Sequence, residues 1–145
     1  MSVSGWIGVD LDGTLAEYHG WGDGGIGKPI PAMVNRVKAW LEAGVTVKIV
    51  TARVGFTCRS DFERNAMKGQ RDMIDAWCLH VFGQKLEITA SKDLAMIELW
   101  DDRAVQVIMN TGEPVGGSVS RGPECAHVNE AIAVMAERDK RTFYE

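Results

Sequence analysis

Apolar and polar positions along the chain switch between two periods, and the switching predicts most of the elements. Trp6-Ile7-Gly8-Val9 is a short run without polar interruption, as a buried strand requires. Pro31 suits the first turn of a helix, and Met33, Val34, Val37, Trp40 and Leu41 then recur at helical spacing until Gly44. Val45–Val50 is mostly β-branched and reads as a second strand, delivering Thr51-Ala52-Arg53 at its end. Ser60 with Glu63 reads as a capping box opening a long helix. Its apolar face is Phe62, Ala66, Met67, Met73, Ile74, Trp77 and Val81, and Gly83 closes it. Leu86–Thr89 and Met96–Trp100 are the third and fourth strands, separated by a turn at Ser91-Lys92-Asp93, and Val105–Met109 is an expected fifth strand at an edge. Residues 16–30 form a glycine-rich flap, 111–123 a loop, and 124–140 a C-terminal amphipathic helix marked by Val128, Ala131, Ile132 and Met135.

Strands alternating with helices predict one α/β domain over residues 1–145, a mainly parallel sheet of about five strands with helices on both faces. In such sheets ligands bind beyond the carboxyl ends of the strands. Four strand ends carry or closely precede reactive residues: Asp10 and Asp12, Thr51 and Arg53, Ser91 and Lys92, and Asp101 and Asp102. Their convergence is the strongest functional signal in the chain.

Composition adds exclusions. With 46% hydrophobic and 25% charged residues in 145, the chain has the makeup of a globular domain. A net charge of −4 gives no electrostatic reason for tight non-specific nucleic-acid binding. Cys58, Cys78 and Cys125 are odd in number and lack a framework spacing, so they read as reduced thiols in a cytoplasmic protein. No secretory leader is expected, and no apolar run approaches the roughly 20 residues of a membrane span.

The chemistry follows from the residue types. Asp10 and Asp12 would share one face of an extended strand, and like charges held together need a cation or a shared proton. Gly13 lets the chain turn sharply after them. Hard oxygen ligands select magnesium, which accepts one or two carboxylates plus a substrate phosphate. A carboxylate can act as nucleophile, and a second can protonate the leaving oxygen and then activate water. The inventory is that of a magnesium-dependent phosphatase. A competing motif, Gly22-Asp23-Gly24-Gly25-Ile26-Gly27-Lys28, has the spacing of a phosphate-binding P-loop. It has Pro29 where Ser or Thr should hold magnesium, and no strand leads into it.

Asp10-Leu11-Asp12-Gly13-Thr14, then Thr51, then Lys92, then Asp101-Asp102 resemble, in order, the four motifs of the haloacid dehalogenase-like superfamily. The resemblance spans Trp6 to about Met109 and implies a Rossmann-like doubly wound fold. It implies Asp10 as nucleophile, Asp12 as general acid and base, Thr51 as a phosphoryl hydrogen-bond donor and Lys92 as the cation joining nucleophile to phosphate. Magnesium would be held by Asp10, the main-chain carbonyl of Asp12, Asp101 and Asp102, the last directly or through water. The dehalogenase branch lacks the second aspartate, so Asp12 points to phosphate esters. Neither inter-motif segment leaves room for a cap domain. Thr51-Ala52-Arg53 and Asp101-Asp102-Arg103 resemble locally the phosphatase domain of polynucleotide kinase-phosphatases, and Asp-Asp-Arg also occurs in small deoxynucleotidases. The candidate substrate-binding residues are therefore Gly13, Thr14, Ala52, Arg53 and Arg103. The partners implied are a phosphorylated small molecule or nucleic-acid end, with no membrane. Capless members tend to have open sites or to use oligomer contacts as a lid, which makes a second copy of the chain a further candidate partner.

Other readings of the same residues stand beside these. Thr51 can cap the loop beyond its strand, and Arg53 can be solvated or contact substrate. Asp102-Arg103 can be a structural ion pair. Tyr18 and Trp21 can stack on a nucleobase or pack back on the protein. Cys78-Leu79-His80 and Cys125-Ala126-His127 lack the spacing of four-ligand zinc sites. A non-catalytic phosphate-binding or receiver-like module is the alternative function.

Overall fold

The computed structural model describes residues 4–118. They belong to two compact units, Met1–Tyr18 with Ile26–Asp102, and His19–Gly25 with Arg103–Glu145.

The first unit is an α/β fold. Its elements are β1 (Trp6–Val9), α1 (Pro31–Glu42), β2 (Thr46–Val50), a single 3-10 turn (Ala52–Val54), α2 (Asp61–Phe82), β3 (Glu87–Thr89) and β4 (Met96–Trp100). The four strands form one parallel sheet in the order β3-β2-β1-β4. β1 is central and all of its residues are buried, which explains its unbroken apolar run. α1 begins at Pro31 with no side-chain cap, so the proline's fixed φ and missing donor start the helix. α2 starts as half a capping box: Ser60 Oγ accepts from the Glu63 N–H, while the Glu63 carboxylate takes the Arg59 N–H and the Thr57 hydroxyl. Gly83, with φ +72°, ends it in the left-handed region.

Strand register sorts the side chains into two faces. Ile7 pairs with Val47, and Val9 with Ile49, which pairs with Ile88. These residues share one buried cluster with Met33, Val34 and Val37 of α1 and Ile74 and Cys78 of α2. Both described helices therefore pack on the same face. Among the described residues no helix covers the opposite face. Successive crossovers β1-α1-β2 and β2-α2-β3 step the same way along the sheet, and right-handed crossovers doing so place their helices on one side. The opposite face carries Trp6, Lys48 and Glu87. Lys48 lies 4.5 Å above the Trp6 ring and 3.3 Å from Glu87. Residues 90–95 link β3 to β4 without a helix, and on the way Asp93 accepts the Trp6 indole N–H at 2.9 Å.

Two positions of α2 differ from the sequence reading. Phe62 and Met73, expected on the apolar face, are exposed, whereas Ile74 and Cys78 are fully buried. Burial pushes the Cys78 thiol up to about 11.

The flap is pinned at its base. Glu17 N–H donates to the Lys28 carbonyl, Ile30 N–H to Leu15, and the Trp77 indole to Gly27. A Cβ at Gly27 would stand 2.1 Å from the Glu17 carbonyl oxygen, so only glycine fits this closure. α1 starts at Pro31 rather than directly after Lys28, and the P-loop reading fails on context.

In the second unit, the expected strand Val105–Met109 is one arm of a small turn. Val107 and Pro114 form an isolated antiparallel bridge, and the Val115 N–H reaches the Gln106 carbonyl. The described residues thus hold four strands where about five were expected. Val105, Val107, Ile108 and Met109 are all exposed, whereas a parallel strand needs both faces covered. Residues 111–118 are loop as expected; the remainder of that loop and the helix expected at 124–140 lie outside the described residues. Among the described residues no helix is long and apolar enough to cross a membrane.

Candidate functional site

The chain leaves β1 at Val9 and folds immediately into a compact turn. Thr14, Leu15 and Ala16 all direct their N–H groups to the Leu11 carbonyl, and Leu11 and Leu15 are completely buried. These two leucines anchor the turn downward. The intervening polar residues, Asp10, Asp12, Gly13 and Thr14, are left half-buried at the carboxyl end of the central strand.

Asp10 and Asp12 do not share an environment. Asp10 lies with Asp101 and Asp102, one carboxylate oxygen from each falling within 4.8 Å of the others. Both elements are fixed to one another, since the Asp10 N–H donates to the Trp100 carbonyl at 2.9 Å. Thr14 bridges the cluster. Its hydroxyl is 3.3 Å from Asp10 Oδ2 and 3.3 Å from Asp102 Oδ1, and it accepts the Asp102 N–H at 3.1 Å. One hydroxyl proton serves one carboxylate at a time, so the threonine does not relieve the crowding. The Asp10 carboxyl is accordingly pushed up to about 8, first by burial, then by the charge of Asp101 and by the hydrogen bond and charge of Asp102. Gly13, with φ +90°, makes the approach geometrically feasible: a Cβ there would stand 2.8 Å from Asp102 Oδ2.

Asp12 faces Arg53 instead. Arg53 Nε donates to Asp12 Oδ2 at 2.7 Å and Nη2 to Oδ1 at 2.8 Å, a bidentate pair in which the guanidinium side chain is only 2% exposed. A third nitrogen, Nη1, donates to Gln70 Oε1 on α2 at 3.1 Å. Arg53 is placed by the short 3-10 turn after β2, where its own N–H donates to Thr51 Oγ1. The expectation that Asp10 and Asp12 point the same way does not hold, because extension ends at Val9 and the turn separates them.

The remaining candidates are distributed as follows. Thr51 is buried, its N–H bonded to the Thr89 carbonyl and its hydroxyl capping the 3-10 turn. Ala52 opens that turn and is exposed. Lys92 is exposed and makes no hydrogen bond or ion pair with the acidic cluster among the described residues. Its neighbour Asp93 is bonded to Trp6, the first residue of β1, whereas Asp10 follows the last. Arg103 is the exposed first residue of the second stretch of the other unit. Tyr18 and Trp21 are half-buried with the phenol oxygen and indole nitrogen shielded from water. Gln70 was not anticipated. Nothing in the sequence distinguishes a polar residue inside a long helix until the arginine it holds is seen.

The residues of the acidic half fit a divalent cation. They are hard oxygen donors, they are close enough to share one ion, and the burden on Asp10 is one that a positive charge relieves. The Asp12 carboxylate is engaged by Arg53, which leaves its main-chain carbonyl as the contribution the resemblance assigns. No family model, curated protein or solved structure matches the chain.

Proposed function

We propose that the protein is a magnesium-dependent phosphomonoester hydrolase of the haloacid dehalogenase-like kind, acting through an aspartyl-phosphate. The observation that carries this reading is the separation of the first two aspartates into a crowded acidic group and an arginine-held carboxylate. Asp10, Asp101 and Asp102 would hold magnesium, which supplies charge neutralisation for the nucleophile and the phosphoryl oxygens. Asp10 attacks phosphorus as the ester oxygen departs, and Asp12 hands that oxygen its proton. Asp12 then takes a proton from the water that frees Asp10. Thr14 and Thr51 supply hydroxyls at the strand ends. Lys92, exposed and unbonded to the cluster, is given no step. A nucleotide or nucleic-acid terminal phosphate is the proposed substrate class, on the local resemblance alone. The doubly wound form of such folds calls for helical cover on the second face, and residues 124–140 have the amphipathic pattern for it.

The test is hydrolysis of p-nitrophenyl phosphate with and without magnesium, followed by a screen of phosphomonoesters that includes 3′-phosphorylated oligonucleotides. Turnover should require magnesium and disappear in Asp10→Asn. A variant that still turns over removes Asp10 as nucleophile.

One observation favours a second reading, a phosphate-binding or receiver-like module without turnover. Both oxygens of the Asp12 carboxylate already accept from Arg53. Beryllofluoride binding without aryl-phosphate turnover would select that module.

A further inference from the structure

Arg53 entered as a candidate substrate contact, because a strand-end arginine is well suited to a phosphoryl group. Its surroundings assign it elsewhere. The side chain is 2% exposed, and three of its nitrogens are directed at protein oxygens: Nε and Nη2 at the two oxygens of Asp12, Nη1 at Gln70. The backbone is equally constrained, since the Arg53 N–H is held by Thr51 Oγ1 inside the 3-10 turn. The guanidinium is covered by protein, and drawing it out toward a ligand would leave the mostly covered Asp12 carboxylate without its partner.

We infer that Arg53 acts through Asp12 rather than on substrate: it is the positioning residue that fixes the Asp12 carboxylate, and Gln70 of α2 anchors the clamp. The inference rests on the phosphatase reading for the role of Asp12, but the geometry of the clamp does not depend on it. Two parallel N–H donors orient the carboxylate plane as well as its position, which a single ammonium cannot do. The Gln70 contact removes the remaining freedom of the guanidinium by tying it to a helix buried against the sheet through Ile74 and Cys78. A catalytic carboxylate displaced by about 1 Å can lose about 100-fold in rate while substrate binding is untouched. A clamp of this kind therefore shows itself in kcat.

The test uses the full chain, p-nitrophenyl phosphate with magnesium for turnover, and calorimetric titration with inorganic phosphate and magnesium for binding. Arg53→Gln should lower kcat by about 100-fold with KM and the phosphate Kd within about 3-fold of the unmodified protein. Arg53→Lys should restore little of this, because it keeps the charge and loses the parallel pair. Gln70→Ala keeps both charges and guards against a misfolded Arg53 variant; it should lower kcat about 3- to 10-fold at constant KM. A KM or phosphate Kd raised about ten-fold or more by Arg53→Gln, with kcat retained, would place the guanidinium on the phosphoryl group and overturn the inference. So would Gln70→Ala with reduced thermal stability and unchanged kcat, which is the signature of a structural contact alone. Absence of turnover in the unmodified protein is a failure of the phosphatase reading, and the calorimetric comparison still decides between clamp and ligand contact.

Discussion

The two halves of the site start from the same loop and reach opposite electrostatic solutions. Asp12 is compensated within the protein, both of its oxygens taken by a guanidinium that is itself anchored to α2. Asp10 is not. It shares its space with two further carboxylates and a threonine whose one proton cannot serve them all. Folding thus gathers three carboxylates in one half and joins a single carboxylate to a guanidinium in the other. The compensated half is finished as it stands, whereas the crowded half gains by taking up a proton or a cation. A protein that only needed a stable turn would have little reason to keep the second arrangement.

Substitutions can break this contrast from either side, and the largest expected effect is on turnover. Asp10→Asn removes the proposed nucleophile and should abolish magnesium-dependent hydrolysis of p-nitrophenyl phosphate, while circular dichroism stays unchanged. Breaking the compensated half should show in stability. Arg53→Gln leaves a largely covered carboxylate without its partner and should cost about 3 kcal/mol in urea unfolding, discounted from a fully buried pair because Asp12 is 17% exposed. Gly13→Ala strikes the join between the halves, forcing a Cβ toward Asp102 at φ +90°. It should cost about 1–3 kcal/mol and weaken the magnesium-induced rise in Tm.

The smallest effect is a pH dependence confined to the crowded half. The Asp10 acid is weaker in the folded protein, at about 8 against 3.8 ordinarily, so the folded form keeps a proton that the unfolded form has lost between those values. The metal-free protein should lose stability as pH rises from about 4 toward 8, and show no Asp10 contribution below that window. Thermal melts across pH should reveal the slope, and Asp10→Asn should flatten it. Saturating magnesium should do the same by favouring the ionised form. A slope unchanged in Asp10→Asn would show that the crowding does not act through that residue.

Much of the architecture was legible because it depends on local rules. Pro31 and Gly44 bracket α1, Ser60 and Gly83 bracket α2, and Met96–Trp100 forms a strand where the apolar run predicts one. The misreadings share a cause. Val105–Met109 has strand-forming residues but no covering layer among the described residues, and Phe62 and Met73 have the right helical phase but look away from the sheet. Periodicity reports which residues can be buried together, and only packing decides which of them are. Lys92 lies in the link from β3 to β4, which holds no helix and is tied to the first residue of β1 through Asp93 and Trp6.

The chain by itself determined that Asp10, Asp12, Thr51, Asp101 and Asp102 would follow strands of one parallel sheet, because strand period and turn chemistry are local properties. It also determined that a glycine must stand at position 13, where the chain reverses. Which carboxylates would crowd and which would be neutralised was decided only in three dimensions. That choice depends on a guanidinium reaching across 41 residues to Asp12 and on a helix residue reaching back to steady it, and side-chain pairings at such separations leave no periodic trace in a sequence.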